Sequence, residues 1–224
     1  MELTKEQLLQ IDNYVFSCGI KYYDVRTEIV DHFANILEQK LAKNPDINFK
    51  KEIQNIHRNF SDRGFSNLLK DKTKAVQKKF YKATLKHLIT FFKLPRILIS
   101  AGIFYALFLL MNLFEDKKQF FETFSLVALF SCFVFLILFF YRNKKKTKFL
   151  ALERSNNFNM LIMQLFQLFY YSVDFRTDES FLNPIYNNIQ LAVFVLLLLF
   201  YWSGEFVYNK NRQFVKTYYP NVIV

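Results

Sequence analysis

Long apolar runs occur only after residue 96 of this 224-residue chain. Residues 97–114 contain no charged side chain, residues 119–141 contain only Glu122, and residues 186–207 contain only Glu205. The hydrocarbon core of a bilayer is about 30 Å thick, and a helix rises about 1.5 Å per residue, so about 20 apolar residues cross it. These three segments are therefore predicted to be membrane-spanning helices.

A weaker candidate span lies at residues 158–175, where Gln164 and Gln167 interrupt the apolar pattern. The flanking charges favour a crossing, because the 142–157 loop is basic, residues 174–179 are mostly acidic, and the tail after residue 207 is basic. Basic loops stay in the cytoplasm, so this order places both termini there. A helix lying in the membrane interface is the alternative for this segment. The predicted spans are about 97–114, 119–141, 158–175 and 186–207.

Residues 1–70 carry apolar side chains at helical spacing and no run long enough to cross a bilayer, which predicts a small bundle of amphipathic helices. Thr4 can cap the first helix with Gln7 completing a capping box, and Gly19 suits the left-handed residue that ends a helix. A second helix is predicted from about Asp24 to Ala42. The apolar face of a third consists of Phe49, Ile53, Ile56 and Phe60.

A bundle of about 70 residues buries only a small core, so we expect it to rest on a partner, a second copy or the membrane-proximal helix. Residues 71–96 are predicted to form this basic juxtamembrane helix, and residues 208–224 a cytoplasmic tail. Four glycines and four prolines leave little scope for a turn-rich β fold. The predicted fold is all-α: a small cytoplasmic helical bundle, a long basic juxtamembrane helix and a four-helix transmembrane bundle.

Part of the net charge of +11 lies in a stripe of lysines spaced every four residues along the predicted juxtamembrane helix. Beside a bilayer, such a stripe is typical of a contact with anionic lipid headgroups, at about 1 kcal/mol per basic residue. A positive-inside topology signal alone is the alternative. Base-stacking and groove-reading motifs are absent, so we expect no nucleic-acid partner. The stripe consists of Lys70, Lys74, Lys78, Lys82 and Lys86.

Several functional classes find no support in the sequence. Cys18 and Cys132 fall in a polar and an apolar segment, respectively, so they predict no disulfide framework. Residues 1–20 carry acidic side chains and lack the apolar core of a secretory signal, so we expect no such signal. Gly-rich phosphate loops, nucleophile elbows and H-E-x-x-H motifs are missing. We therefore expect neither enzymatic activity nor a cofactor.

One pattern of apolar and polar positions covers about the first 75 residues. It comprises DVRTEIVDH at residues 24–32, then Phe49, Ile53, His57 and the pair Gly64-Phe65. This pattern resembles the small helical domain that precedes the membrane spans of bacterial HAAS-type and permease-prefix proteins. The resemblance implies a regulatory or protein-interacting domain, not a catalytic one. The sequence lacks the large extracytoplasmic domain of a permease, so the resemblance implies no transport activity.

The polar positions of this front domain form a candidate interaction face. Asp24, Glu28 and His32 lie at i, i+4 and i+8 on the predicted second helix, with Asp31 beside them, and His57 can approach from the third helix. Glu28 and His32 could instead ligate a metal ion with a supporting carboxylate. Two ligands on one helix are too few for a closed site, so we expect a protein contact and no metal.

A second polar set lies in the predicted spans. Gln164, Gln167 and Tyr171 follow one another at i, i+3 and i+7, and Gln190 lies at about the depth of Tyr171 in the next span. Polar groups are costly in lipid, so we expect them to face other helices. Hydrogen bonds between helices, a dimer interface and a small polar cavity for a solute are the three interpretations.

The sequence therefore predicts a non-enzymatic protein of the bacterial cytoplasmic membrane that acts as an adaptor, sensor or anchor. Its expected partners are anionic lipids and either another protein or a second copy. A component of a transporter or channel, using the polar face of the third span, is the alternative. A membrane-bound enzyme with a metal at Glu28, His32 and His57 is a third, less supported class.

Overall fold

The computed structural model describes residues 2–60, 64–144 and 148–220. These residues are almost entirely helical and contain no β-strand, apart from an isolated bridge between Tyr22 and Lys148, which confirms the all-α class. Lys145 and Lys146 of the basic loop and the last four residues of the predicted tail lie outside the described residues. The helices are α1 (Lys5–Ser17), α2 (Tyr23–Lys43), α3 (Phe49–Phe60), α4 (Gly64–Thr90), α5 (Ile97–Leu113), α6 (Lys117–Asn143), α7 (Leu150–Asp174), α8 (Asp178–Leu182) and α9 (Pro184–Tyr218).

Local sequence signals set the ends of the first helix. The Thr4 hydroxyl accepts the backbone N–H of Gln7 at 3.2 Å, and the Gln7 side chain accepts the N–H of Thr4 at 2.9 Å. The predicted capping box is therefore confirmed. Gly19 has φ of 95°, a left-handed conformation that glycine adopts without strain, as its position after the helix predicts.

The described chain divides into two compact units. The first runs to Lys78 and includes the short segment that ends at Glu153, and the second begins at Lys79 and resumes at Arg154. The first unit thus extends past residue 70, because α4 and the start of α7 contribute side chains to its core. Val76 of α4 packs against this core, and Leu150 of α7 is 1% exposed within it. The support expected for the small bundle comes from the chain's own later residues.

The core of the first unit contains the apolar residues that helical spacing predicts, apart from Phe60, whose side chain lies outside the described residues. His57 stacks on the ring of Phe65 with centroids 4.2 Å apart, and Phe33 packs on the same ring at 5.8 Å. The buried members from α1, α2 and α3 are Ile11, Val15, Val25, Ile29, Val30, Phe33, Leu37, Ile53 and Ile56.

The second unit has a core rich in phenylalanine. The rings of Phe124 and Phe194 join α6 to α9 with centroids 4.3 Å apart, and those of Phe158 and Phe200 join α7 to α9 at 4.9 Å. Gly204 of α9 lies directly against Phe158, where a Cβ atom would overlap the ring. A small residue at such a contact allows two helices to approach closely.

Two described helices, Lys117–Tyr141 and Pro184–Tyr218, are long and apolar enough to cross a membrane. Only 17% of the most apolar stretch of the first is buried inside the chain, so most of its apolar side chains face outward. Helix α5 is apolar but shorter than these two helices, and α7 is not among the helices that are both long enough and apolar enough to cross. The structure thus gives two candidate spans at positions where the sequence predicts the second and the fourth.

The helix ends differ from the predictions in three places. Helix α4 ends at Thr90 and turns fill residues 91–96, where Pro95 disfavours helix in the residue before it. Helix α7 begins at Leu150, well before the predicted 158. Helix α9 continues to Tyr218 because residues 208–218 contain neither glycine nor proline, so much of the predicted tail is helical.

Candidate functional site

The first unit holds the N-terminal end of α7 through residues that precede and begin α2. The Asp24 carboxylate accepts the backbone N–H of Leu150 at 3.0 Å, and the N–H of Tyr23 donates to the carbonyl of Lys148 at 2.8 Å. The Tyr22 hydroxyl donates to Glu153 at 2.7 Å. We call this set, residues 22–24 with residues 148–153, the Asp24 clamp. The first backbone N–H groups of a helix have no acceptor within that helix, and the Asp24 carboxylate supplies an acceptor for the N–H of Leu150.

The electrostatics of the clamp reflect burial. Removal from water raises the pKa of Asp24 above its ordinary value, and the N–H groups of Leu150, Val25 and Ala151 oppose part of that rise. The carboxylate is therefore held by hydrogen bonds at a position where its charge is poorly solvated. An uncharged acceptor of the same shape can make the same contact.

The residues of the predicted interaction face make different kinds of contact. Besides Asp24, Glu28 pairs with Lys72 at 2.6 Å. His57 is hydrogen bonded to the Tyr14 hydroxyl at 2.8 Å and so belongs to the packing between α1 and α3. Asp31 and His32 lie exposed on α2. No group of three or more histidine, cysteine, aspartate or glutamate side chains with metal-binding geometry occurs in residues 2–60, 64–144 and 148–220.

The lysine stripe lies along α4 as the spacing predicts. Its five side chains are all exposed on this single continuous helix. Lys72, which is not part of the stripe, is the α4 lysine that pairs with Glu28. The five stripe lysines, Lys70, Lys74, Lys78, Lys82 and Lys86, appear in none of the ion pairs between described residues.

The polar residues of the predicted spans do not share one site. Gln164 and Gln167 lie on the outer surface of the chain, and Gln167 donates to the Tyr171 hydroxyl at 3.3 Å. Gln190 is buried, and it donates to the Ser172 hydroxyl at 3.2 Å and accepts from Arg176 at 2.7 Å. The described hydrogen bonds of Gln190 thus go to Ser172 and Arg176, while the surface positions of Gln164 and Gln167 leave the dimer interface open as an interpretation.

A site that the sequence does not predict surrounds Arg176, between α7 and α8. The guanidinium donates to the Ser180 hydroxyl at 3.1 Å, to the Ser180 carbonyl at 2.7 Å and to the Asn187 side chain at 2.8 Å, besides Gln190. It also lies 4.0 Å from the ring centroid of Phe181. Burial lowers the pKa of Arg176. We call this set, with Arg176 at its centre, the Arg176 network.

His87, near the end of α4, is held as a neutral ring. Its Nδ1 lies 3.1 Å from the Ser203 hydroxyl, which donates its own hydrogen to the Leu199 carbonyl at 2.8 Å. Nδ1 must therefore carry the proton, which leaves Nε2 to accept from Arg96 at 3.2 Å. Burial, and next the charge of Arg96, lower the pKa of His87.

No protein-family model matches the chain, and searches of curated proteins and of solved structures find no match either. The resemblance of the front domain to HAAS-type and permease-prefix domains stays a prediction that rests on the residues quoted for it.

Proposed function

We propose that this chain is a non-enzymatic, multi-pass protein of the bacterial cytoplasmic membrane whose front domain is a regulatory or protein-interaction module coupled to the third span. The observation that supports this most is Leu150, which is at once the first residue of α7 and a buried member of the front-domain core. A partner that binds the front domain acts on a unit that includes the start of α7. The domain would thereby sense or anchor, without catalysis.

Four spans follow if α5 and α7 cross together with α6 and α9. Helix α5 has 17 residues, about 26 Å in length, and a bilayer accommodates this small mismatch by local thinning. Helix α7 has 25 residues, about 38 Å, which exceeds the hydrocarbon core. Both termini then lie in the cytoplasm, and the lysine stripe of α4 lies at the anionic headgroups.

The outward exposure of Gln164 and Gln167 favours self-association as one form of partner. In lipid, an exposed carboxamide has no water to bind, whereas a second copy offers hydrogen-bonding groups. A transporter or channel component, built around this polar face between copies, is the second candidate function.

Membrane topology is tested by thiol labelling of the full chain in intact bacteria. Cys18 and Cys132 are replaced by serine, and single cysteines are placed at the exposed positions Glu115, Leu182 and Lys216. Four spans predict labelling of Glu115→Cys and Leu182→Cys by an impermeant maleimide, and labelling of Lys216→Cys only after lysis. If α7 lies in the interface, Leu182→Cys is protected and Lys216→Cys is labelled, which contradicts the proposed topology.

The interaction role is tested by photo-crosslinking in native membranes. A photoreactive amino acid replaces His32, exposed on α2, and in a control chain it replaces Gln213, exposed on α9. The proposal predicts that one protein, or a second copy, is captured from His32 and not from Gln213. Equal captures from both positions, or lipid alone from His32, would show that the front domain has no specific partner.

A further inference from the structure

The charge of Arg176 lacks a carboxylate partner among the described residues, although acidic side chains lie close in sequence. Asp178 pairs with Lys118 at 2.8 Å, and Asp174 and Glu179 are exposed and form no ion pair with Arg176. Within the part of the chain that the structure describes, the guanidinium is bound only by neutral oxygens, and it lies over the face of Phe181. A partly buried positive charge of this kind favours an anion nearby, because neutral acceptors do not cancel it.

The guanidinium also retains one donor. Of its five N–H groups, Nε–H binds Ser180, both hydrogens of one terminal nitrogen bind Ser180 and Asn187, and one hydrogen of the other binds Gln190. One N–H on the nitrogen that binds Gln190 therefore has no described acceptor. A single anionic oxygen is enough to complete the hydrogen bonding of Arg176.

A cavity of about 460 Å³ opens beside this group within the second unit. Its walls are mainly apolar, with Phe169, Phe175, Ile189 and Val193 along them, and its polar lining includes Arg176. This volume falls in the range of small-molecule pockets, which combine apolar walls with a few polar groups that fix orientation. A hydrated inorganic ion would gain nothing from such walls.

We propose that the cavity beside Arg176 binds an anionic amphiphile, with one carboxylate or phosphate oxygen on the guanidinium and the hydrocarbon part along Phe169, Ile189 and Val193. The head neutralises the charge of Arg176, and the tail removes apolar wall from contact with water or lipid headgroups. Such an anion has two sources, a phospholipid of the bilayer or a free fatty acid. The site is independent of the partner of the front domain.

The test uses the full-length protein in nanodiscs of phosphatidylcholine, which has no net charge. Binding of oleate is compared with that of oleyl alcohol, which has the same chain and no charge, by the ligand-induced shift in the thermal midpoint. We expect oleate to bind at least tenfold more tightly than the alcohol. Equal affinities for the two would overturn the proposal.

Four variants separate the effect of the charge from that of the cavity. Arg176→Gln is expected to abolish the preference for oleate, and Arg176→Lys to retain it, because lysine keeps the charge while losing most of the network. Val193→Trp enlarges a wall residue of the cavity and should weaken both ligands, whereas Val127→Trp, exposed on α6, should weaken neither. An oleate preference that survives in Arg176→Gln would mean that Arg176 has only a structural role. Oleate binding unchanged in Val193→Trp would mean that oleate binds outside the cavity, and either result would overturn the proposal.

The source of the anion is identified by competition. Phosphatidylglycerol added to the same nanodiscs displaces oleate if a bilayer lipid occupies the cavity, and leaves oleate bound if the site selects the free acid. The competition is informative only if the wild-type protein prefers oleate to oleyl alcohol. It therefore identifies the ligand, and the comparison of oleate with oleyl alcohol remains the test of the proposal.

Discussion

The carboxylate of Asp24 lies 3.0 Å from the backbone nitrogen of Leu150, although 126 positions separate the two residues in the chain. Asp24 belongs to the first turn of α2, and Leu150 is the first residue of α7. One side chain of the front domain therefore acts as the cap of a helix that is proposed to cross the membrane. Through this hydrogen bond the front domain binds the first residue of that helix directly.

Removing the Asp24 acceptor should loosen the first turn of α7. Loss of a helix cap costs about 1 kcal/mol, so Asp24→Ala should raise amide hydrogen exchange of residues 149–153 about fivefold. Asp24→Asn should change it less, because the carboxamide oxygen still accepts the Leu150 N–H and the poorly solvated charge is gone. Hydrogen exchange with mass spectrometry measures both. Asp31→Ala, an exposed change on the same helix, is the control, and an equal effect in all three variants would contradict the capping role.

The stability of the second unit should fall as the pH falls below the ordinary pKa of histidine, because of His87. The pKa of His87 is lowered, so the unfolded chain binds the proton more readily than the folded chain between the two pKa values. The stabilising effect of the neutral ring is thus complete above about pH 6.5 and is lost as the pH drops.

Thermal unfolding in detergent at pH 7.5 and at pH 5.5 measures the effect of His87. The wild-type chain should unfold at a lower temperature at pH 5.5, and His87→Gln should show a smaller difference between the two pH values. Arg96→Gln should also reduce the difference, because it removes the cation that Nε2 faces. An unchanged difference in His87→Gln would assign the pH dependence to other groups.

Adding one methyl group at Gly204 should destabilise the packing of α7 on α9. The new Cβ would overlap the ring of Phe158, which is 1% exposed and has little room to move. Overpacking of this kind typically costs about 1–3 kcal/mol. Gly204→Ala should therefore unfold at a lower temperature in detergent. Gly102→Ala is the matched control, because nothing lies within 4 Å of its added Cβ, and equal midpoints for the two variants would refute the close approach.

Replacing Gln164 and Gln167 together by leucine should weaken self-association. Intramembrane hydrogen bonds contribute about 0.6 kcal/mol each, so the dimerisation constant should fall roughly eightfold, as measured by energy transfer between labelled copies in nanodiscs. Gln213→Leu, a matched change on an exposed part of α9, should leave it unaltered. If association is unchanged while passage of a solute is lost at normal protein levels, the channel interpretation is favoured instead.

Features set by neighbouring residues could be predicted from the sequence. The capping box at Thr4 and Gln7, the left-handed Gly19 and the start of α5 at Ile97 all depend on signals within a few positions. The apolar faces of α1, α2 and α3 also follow from spacing alone.

Features set by contacts between distant segments could not be predicted. Arg176 has only the sequence signature of one base among three acids, and its partners come from α8 and α9 after the chain has folded. Asp24 resembles any polar residue at the start of a helix, so its role as a cap for α7 is invisible in the spacing. The same holds for Gly204, since an isolated glycine does not identify the ring that it faces.

The place of Leu150 in the front-domain core also sets an order for biosynthesis. The ribosome has made residues 1–78 long before it reaches this leucine, and at about 5–20 residues per second the remaining roughly 70 residues take about 4–14 s. During this interval the nascent N-terminal segment lacks one of its buried side chains, while the first two apolar helices, α5 and α6, are being synthesised. The core of the front domain is therefore completed only after both of these helices have been synthesised.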